Sequence, residues 1–197
     1  MPKDLAERRG VETEVYQPAE DSHLLAEAAV DDLAGRTGGL ALEVGTGSGY
    51  VAESVAAETA LDVVATDINP HACRQARERS DHGVSVVRAD LVSGFRDGAF
   101  DAVLFNPPYL PEDAAAARDD WMEVALTGGE DGRAVVDPFL DSVPRVLAPG
   151  GAVYLLVSSL TGVDEVVERA AENGFSAVAL RDESFPFETL TVLKLTR

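Results

Sequence analysis

From residue 39 onward the chain alternates short β-branched apolar runs with segments of helical spacing, and few folds accept that order. GLALEVG (39–45) precedes YVAESVAAETA (50–60), and LDVVATD (61–67) precedes PHACRQARERS (70–80), with Pro70 at a first helical position. VSVVRAD (84–90) and FDAVLFN (100–106) continue the series, followed by a helical RAVVDPFLDSVPRVL (133–147), a strand GAVYLLVS (151–158) and a helical GVDEVVERAAENG (162–174). Strands that alternate with helices lie parallel, joined by crossovers, in a twisted α/β sheet covered on both faces. The last two runs, SAVALRD (176–182) and ETLTVLKLT (188–196), leave no room for a helix between them. They are expected to form an antiparallel hairpin at the end of an otherwise parallel sheet.

Length and composition bound the rest. A chain of 197 residues with no internal repeat and no Ser-, Pro- or Gly-rich divider reads as one catalytic domain over 39–197. Residues 1–38 form an N-terminal extension with a helix that covers the site. No run approaches a membrane span, and MPKDLAERRG lacks the apolar stretch of a signal peptide, so a cytoplasmic protein is expected. The single Cys73 excludes an internal disulfide, and with His23, His71 and His82 scattered no metal site is expected. DAAAARDD (113–120) is small and polar enough for a mobile loop.

The charge is strongly acidic: 35 acids against 16 bases, a net −19, with Lys3 and Lys194 as the two lysines. Such a surface repels nucleic acid, whose phosphates need clustered Lys and Arg. The acids are scattered rather than massed in one tail, which points to adaptation to a salt-rich, halophilic cytoplasm.

The turn after the first strand, LEVGTGSGY (42–50), places Gly45, Gly47 and Gly49 between a strand and a helix, where a ligand can approach the backbone closely. A dinucleotide fingerprint wants its third glycine three places after the second, where Tyr50 stands. The spacing fits the looser loop of S-adenosylmethionine binders. Acids follow at neighbouring strand ends, where ligands bind in such sheets. Asp67 can accept both hydrogen bonds of a ribose diol, Asp90 can accept from an adenine amine while Leu91 offers its N–H, and Glu43 sits near the cofactor's charged methionyl end. Each acid alone reads equally well as a solvated charge or a helix cap.

The fourth strand ends in Asn106-Pro107-Pro108-Tyr109. Two prolines stop any ladder or helix and make the loop rigid. The Asn106 side-chain carbonyl and the Pro107 backbone carbonyl can each accept one N–H of a planar NH2 group, and Tyr109 can cover its face. Catalysis there rests on positioning and on stabilising the charge that develops during methyl transfer.

NPPY, together with EVGTGSG, TDINP and ADL, resembles the amino-methyltransferases, and the strand order resembles their seven-stranded class I S-adenosylmethionine-dependent, Rossmann-like fold. VYQPAEDSHLL (15–25) and LTGGEDGRAVVDPFL (126–140) resemble the HemK-like protein glutamine methyltransferases in their short archaeal and eukaryotic branch. The resemblance implies methylation of the side-chain amide of the glutamine in the Gly-Gly-Gln loop of class 1 translation termination factors. It assigns Ser22, Glu43, Gly45, Gly47, Asp67, Asp90, Leu91 and Asn106 to the cofactor, and Asn106, Pro107, Pro108 and Tyr109 to the glutamine. The helical substrate domain of the longer bacterial relatives is expected to be absent. The branch works with a small zinc-binding activator, and the third strand, an edge in this fold, carries little charge in GVSVVRAD (83–90) to protect it. A partner strand adding there would bury Val84 and Val86. Alternatives remain: a DNA or RNA exocyclic-amine methyltransferase, a protein lysine methyltransferase, or a non-catalytic binding module. Tyr16, Pro18, Glu20 and Asp21 read as a lid and a helix start combined, Gly128 and Gly129 as a turn near the site, and Trp121 and Met122 stay open between core and substrate.

Overall fold

The computed structural model describes residues 15–110 and 125–197. Among them are seven strands: β1 (Leu40–Val44), β2 (Asp62–Asp67), β3 (Ser85–Arg88), β4 (Phe100–Phe105), β5 (Leu147–Ser158), β6 (Ser176–Ser184) and β7 (Thr189–Thr196). The helices are α1 (Glu20–Leu33), α2 (Tyr50–Glu58), α3 (Pro70–Arg79), α4 (Val136–Val146) and α5 (Val163–Glu172). The sheet runs β3-β2-β1-β4-β5-β7-β6, parallel through the first five strands and antiparallel for β5–β7 and β7–β6. This is the class I methyltransferase order with its terminal hairpin.

Two apolar layers sandwich the sheet. On one face Leu25, Leu33, Val51 and Val55 pack on Ala41, Ala65, Leu104 and Tyr154. On the other, Phe139, Leu140, Val143 and Val166 pack on Leu42, Val103, Phe105 and Leu155. α1 is tied to the sheet at its far end, where Tyr154 Oη and Lys194 Nζ both donate to Asp32 Oδ2, at 2.6 and 2.7 Å. At the opposite end Gly49, with φ +82°, opens α2; a Cβ there would lie 2.8 Å from Ala76 Cα, so only glycine lets α2 and α3 approach this closely.

The connection from β3 to β4 makes turns rather than a helix and is pinned by Arg145, which donates to the Val92 and Phe95 carbonyls at 3.0 and 2.7 Å. β3 is an edge strand, as expected. Val84 and Val86 are half-buried against the core, at a strand that lies between α3 and β2, with Arg77 and Ser80 donating to the Val86 and Val84 carbonyls, whereas Val87 is 42% exposed. The two-residue period of a strand turns Val87 away from its neighbours, toward the face left uncovered by the turns before β4. No described helix is long and apolar enough to cross a membrane.

Candidate active site

A cavity of about 240 Å³ opens beyond the carboxyl ends of β1, β2, β3 and β4. Every residue that the sequence assigned to cofactor or substrate lines it. The parallel strands bring them there: acids and an amide that end successive strands in the sequence end adjacent strands in space.

Glu43 lies beneath the glycine turn, 3% exposed. Its Oε2 accepts from the N–H of Ala52 at 3.0 Å and from the Thr46 hydroxyl, so it ties the turn to the start of α2. Burial pushes its pKa up to about 8, with the nearby Asp67 charge adding and the Thr46 and Ala52 hydrogen bonds opposing. Asp67, at the end of β2, accepts from the N–H of Gly47 at 2.9 Å and of Asn69 at 2.8 Å. Burial raises its pKa too, against those N–H groups. A carboxylate has about four lone-pair sites, so acceptor capacity remains toward the cavity. Asp90 is exposed at the end of β3, and Leu91 beside it takes φ +46°, a left-handed backbone unusual for a non-glycine residue. That conformation has no sequence signature.

At the end of β4, Asn106 Oδ1 is buried with no hydrogen-bond partner among the described residues. A buried carbonyl without a donor is costly, and here it lies in a wall of the cavity. Pro107, Pro108 and the buried ring of Tyr109 continue that wall. Leu110 then forms a parallel bridge with Thr127: its N–H donates to the Leu126 carbonyl at 3.0 Å, and the N–H of Gly128 donates back at 2.9 Å. The segment after residue 125 thereby returns to the cavity, with Leu126 and Val135 in its lining. The expected turn at Gly128 and Gly129 follows, closed by Ala134 N–H to the Gly128 carbonyl at 2.8 Å.

Ser22 and Asp21 reach the cavity from the first turn of α1. Ahead of them Val15 and Tyr16 also line it, and the Tyr16 carbonyl runs 3.6 Å from where a Cβ on Gly47 would stand. Residues 15–19 therefore form a strap across the glycine turn and lead into α1, whose first residue is Glu20. Gln17 anchors this strap to Gln75 of α3 through paired amides at 3.3 and 3.5 Å. His23 stacks on Tyr50 at 4.7 Å. No metal-ligand cluster of three or more His, Cys, Asp or Glu occurs among the described residues. Trp121, Met122 and the 113–120 stretch lie outside the described residues.

Sequence reasoning missed Thr46, Phe105, Leu126 and Val135 as lining residues. Thr46 carried a signal, a hydroxyl within the glycine turn three residues from Glu43. Phe105 was visible only as the apolar end of a strand.

Comparison with known proteins agrees with this geometry. A family model of the methyltransferase domain matches residues 41–129. The chain is 37% identical over 191 residues to a putative protein N5-glutamine methyltransferase of Methanocaldococcus jannaschii, covering 93% of this chain and 92% of the relative. It is 35% identical over 201 residues to the methyltransferase HEMK2 of Homo sapiens, covering 96% and 92%. Among solved structures, Mtq2 of E. cuniculi, in its complex with Trm112 and described as responsible for methylating the eRF1 translation termination factor, has a TM-score of 0.77. Its identity is 31%, and the alignment covers 94% of this chain and 99% of that one. The cavity suits S-adenosylmethionine: carboxylates at neighbouring strand ends, a glycine turn open to close backbone approach, and a buried amide carbonyl without a donor among the described residues. With that fit and with alignment over nearly its whole length, the chain belongs to the HemK-like protein N5-glutamine methyltransferase family of S-adenosylmethionine-dependent enzymes.

Proposed function

We propose that this enzyme methylates the side-chain amide of the glutamine in the Gly-Gly-Gln loop of a class 1 translation termination factor. The observation that carries the reading is Asn106 Oδ1, a buried acceptor without a donor at the end of β4. An amide nitrogen is a poor nucleophile because its lone pair is delocalised, so the site must hold the NH2 and aim the lone pair. Asn106 Oδ1 accepts one N–H, the Pro107 carbonyl accepts the other, and the Tyr109 ring covers the amide plane. S-adenosylmethionine supplies the methyl group. That methyl would pass from the cofactor's sulfur to the nitrogen held by Asn106 Oδ1 and the Pro107 carbonyl, whose proton would go to water. Ser22, Glu43, Gly45, Gly47, Asp67, Asp90 and Leu91 hold the cofactor in this reading. The name of the solved Mtq2 complex, with its link to eRF1, supports the choice of substrate.

The same reading includes a small zinc-binding activator docked on the β3 edge. Support comes from the Mtq2–Trm112 pairing, from the place of β3 at the end of the sheet, and from the exposure of Val87. If the partner covers that edge, the protein expresses poorly alone and is rescued by co-expression.

The test is transfer of labelled methyl from S-adenosylmethionine, in high salt, to three acceptors. These are a purified termination factor, its Gln-to-Arg variant at the Gly-Gly-Gln loop, and duplex DNA or tRNA. Label is expected on the unaltered factor alone. Label on nucleic acid and none on the factor would overturn the reading.

A further inference from the structure

One carboxylate touches three different parts of the cavity wall. Asp21, the second residue of α1, is 2% exposed and lines the cavity. Its Oδ1 accepts from the Ser22 N–H at 2.6 Å and from Ser22 Oγ at 3.2 Å. Its Oδ2 accepts from the Tyr16 hydroxyl at 2.8 Å and from the Tyr109 hydroxyl at 3.4 Å. Ser22 belongs to the cofactor side, Tyr16 to the strap over the glycine turn, and Tyr109 to the loop that faces the substrate. A carboxylate this deeply buried persists only where its lone pairs are used.

The two contacts of Oδ2 are unequal. The Tyr16 distance falls inside the usual O–H···O range, whereas the Tyr109 distance lies beyond it. Because both hydroxyls approach one oxygen, a small displacement of the carboxylate imposed from one side changes the contact on the other. The geometry points to Asp21 as a positioning residue that couples cofactor binding to the orientation of Tyr109. Contact of the cofactor with Ser22 and the strap draws the carboxylate against the Tyr109 hydroxyl, which sets the plane of the ring before the substrate arrives. By linkage, a bound acceptor then tightens cofactor binding by the factor by which cofactor tightens the acceptor. This inference rests on the reading that Tyr109 covers the substrate amide.

The experiment uses the whole chain with 3-fluorotyrosine at its four tyrosines, Tyr109→Phe assigning one fluorine resonance to Tyr109. Adding S-adenosylhomocysteine to the wild-type protein is expected to shift the Tyr109 resonance. In Asp21→Asn the shift disappears while cofactor affinity stays within a few-fold. On the termination factor, Asp21→Asn lowers kcat about 10-fold, the loss expected for one hydrogen bond to a charged group. Adding Tyr109→Phe to it brings little further loss, as coupled residues are not additive. A Tyr109 resonance that still responds in Asp21→Asn overturns the proposal, as do additive losses in the double variant. So does a variant that loses only melting temperature. If the wild-type protein leaves the factor unmethylated while the fluorine response behaves as expected, the substrate reading fails and the coupling stands.

Discussion

The backbone N–H of Gly47 donates to Oδ2 of Asp67 at 2.9 Å, so the acid that ends β2 holds the turn that follows β1. Asp67→Ala removes this brace and the proposed acceptor of the ribose diol together. Affinity for S-adenosylhomocysteine is expected to fall by about 10-fold or more, the scale of a lost charged hydrogen bond, in titration calorimetry. Unchanged affinity would show that the turn keeps its shape without the acid and that the diol binds elsewhere.

Burial pushes the pKa of Glu43 from an ordinary 4.5 up to about 8. Between those values the folded chain holds a proton that the unfolded chain releases. The Glu43 contribution to stability is therefore complete below about pH 4.5 and is lost as pH rises toward 8. Glu43→Gln is expected to flatten the fall in melting temperature across that window, measured by thermal melts at a series of pH values. An unaltered slope would mean that other groups set it.

Asn106→Ala is expected to abolish methyl transfer while cofactor affinity changes by no more than a few-fold. Its melting temperature should hold, since the side-chain carbonyl has no hydrogen-bond partner to lose among the described residues. Loss of cofactor binding and turnover together would mean that Asn106 chiefly shapes the cavity.

Gly132 takes φ +76°, and a Cβ there would lie 2.8 Å from the Tyr109 carbonyl oxygen and 2.5 Å from Thr161 Cγ2. Gly132→Ala must therefore push on the loop that carries Tyr109. The expected cost is about 1–3 kcal/mol of stability, from strain and overpacking, with kcat reduced more than cofactor affinity. A variant with wild-type turnover would show that this loop tolerates displacement.

A net charge of −19 on a chain this size implies strong self-repulsion at low salt. Raising KCl from about 0.1 M to 1 M shortens the screening length from roughly 10 to 3 Å. Melting temperature is expected to climb through that range. A flat response would remove the case for salt adaptation.

The ends of the parallel strands were legible because a β-branched run stops where a glycine, acid or proline begins. GLALEVG extends one residue past Val44, VSVVRAD two past Arg88, and FDAVLFN one past Phe105. The part of the cavity wall that consists of strand ends was legible with them. The contact of Asp21 with Tyr109 was not, because those residues are 88 positions apart and meet only through the packing of α1 on the sheet. Nor was the outward face of β3. Val-Ser-Val-Val offers apolar side chains to both faces, and a period of two cannot say which face a helix covers. A one-residue bridge such as Leu110 with Thr127 leaves no periodic trace at all.

The two walls of the cavity are held by different means. Asn106 follows β4, a central strand paired on both sides with β1 and β5, whose backbone amides should be among the last to exchange with deuterium. Among the described residues the strap over the glycine turn joins no strand, and the side chains of Tyr16 and Gln17 help to fasten it. Local opening is therefore expected to begin at the strap, which is the cofactor side in the proposed reading. On the proposed reading, the enzyme would exchange spent cofactor for fresh by loosening a few residues, without giving up the geometry proposed to aim the acceptor nitrogen.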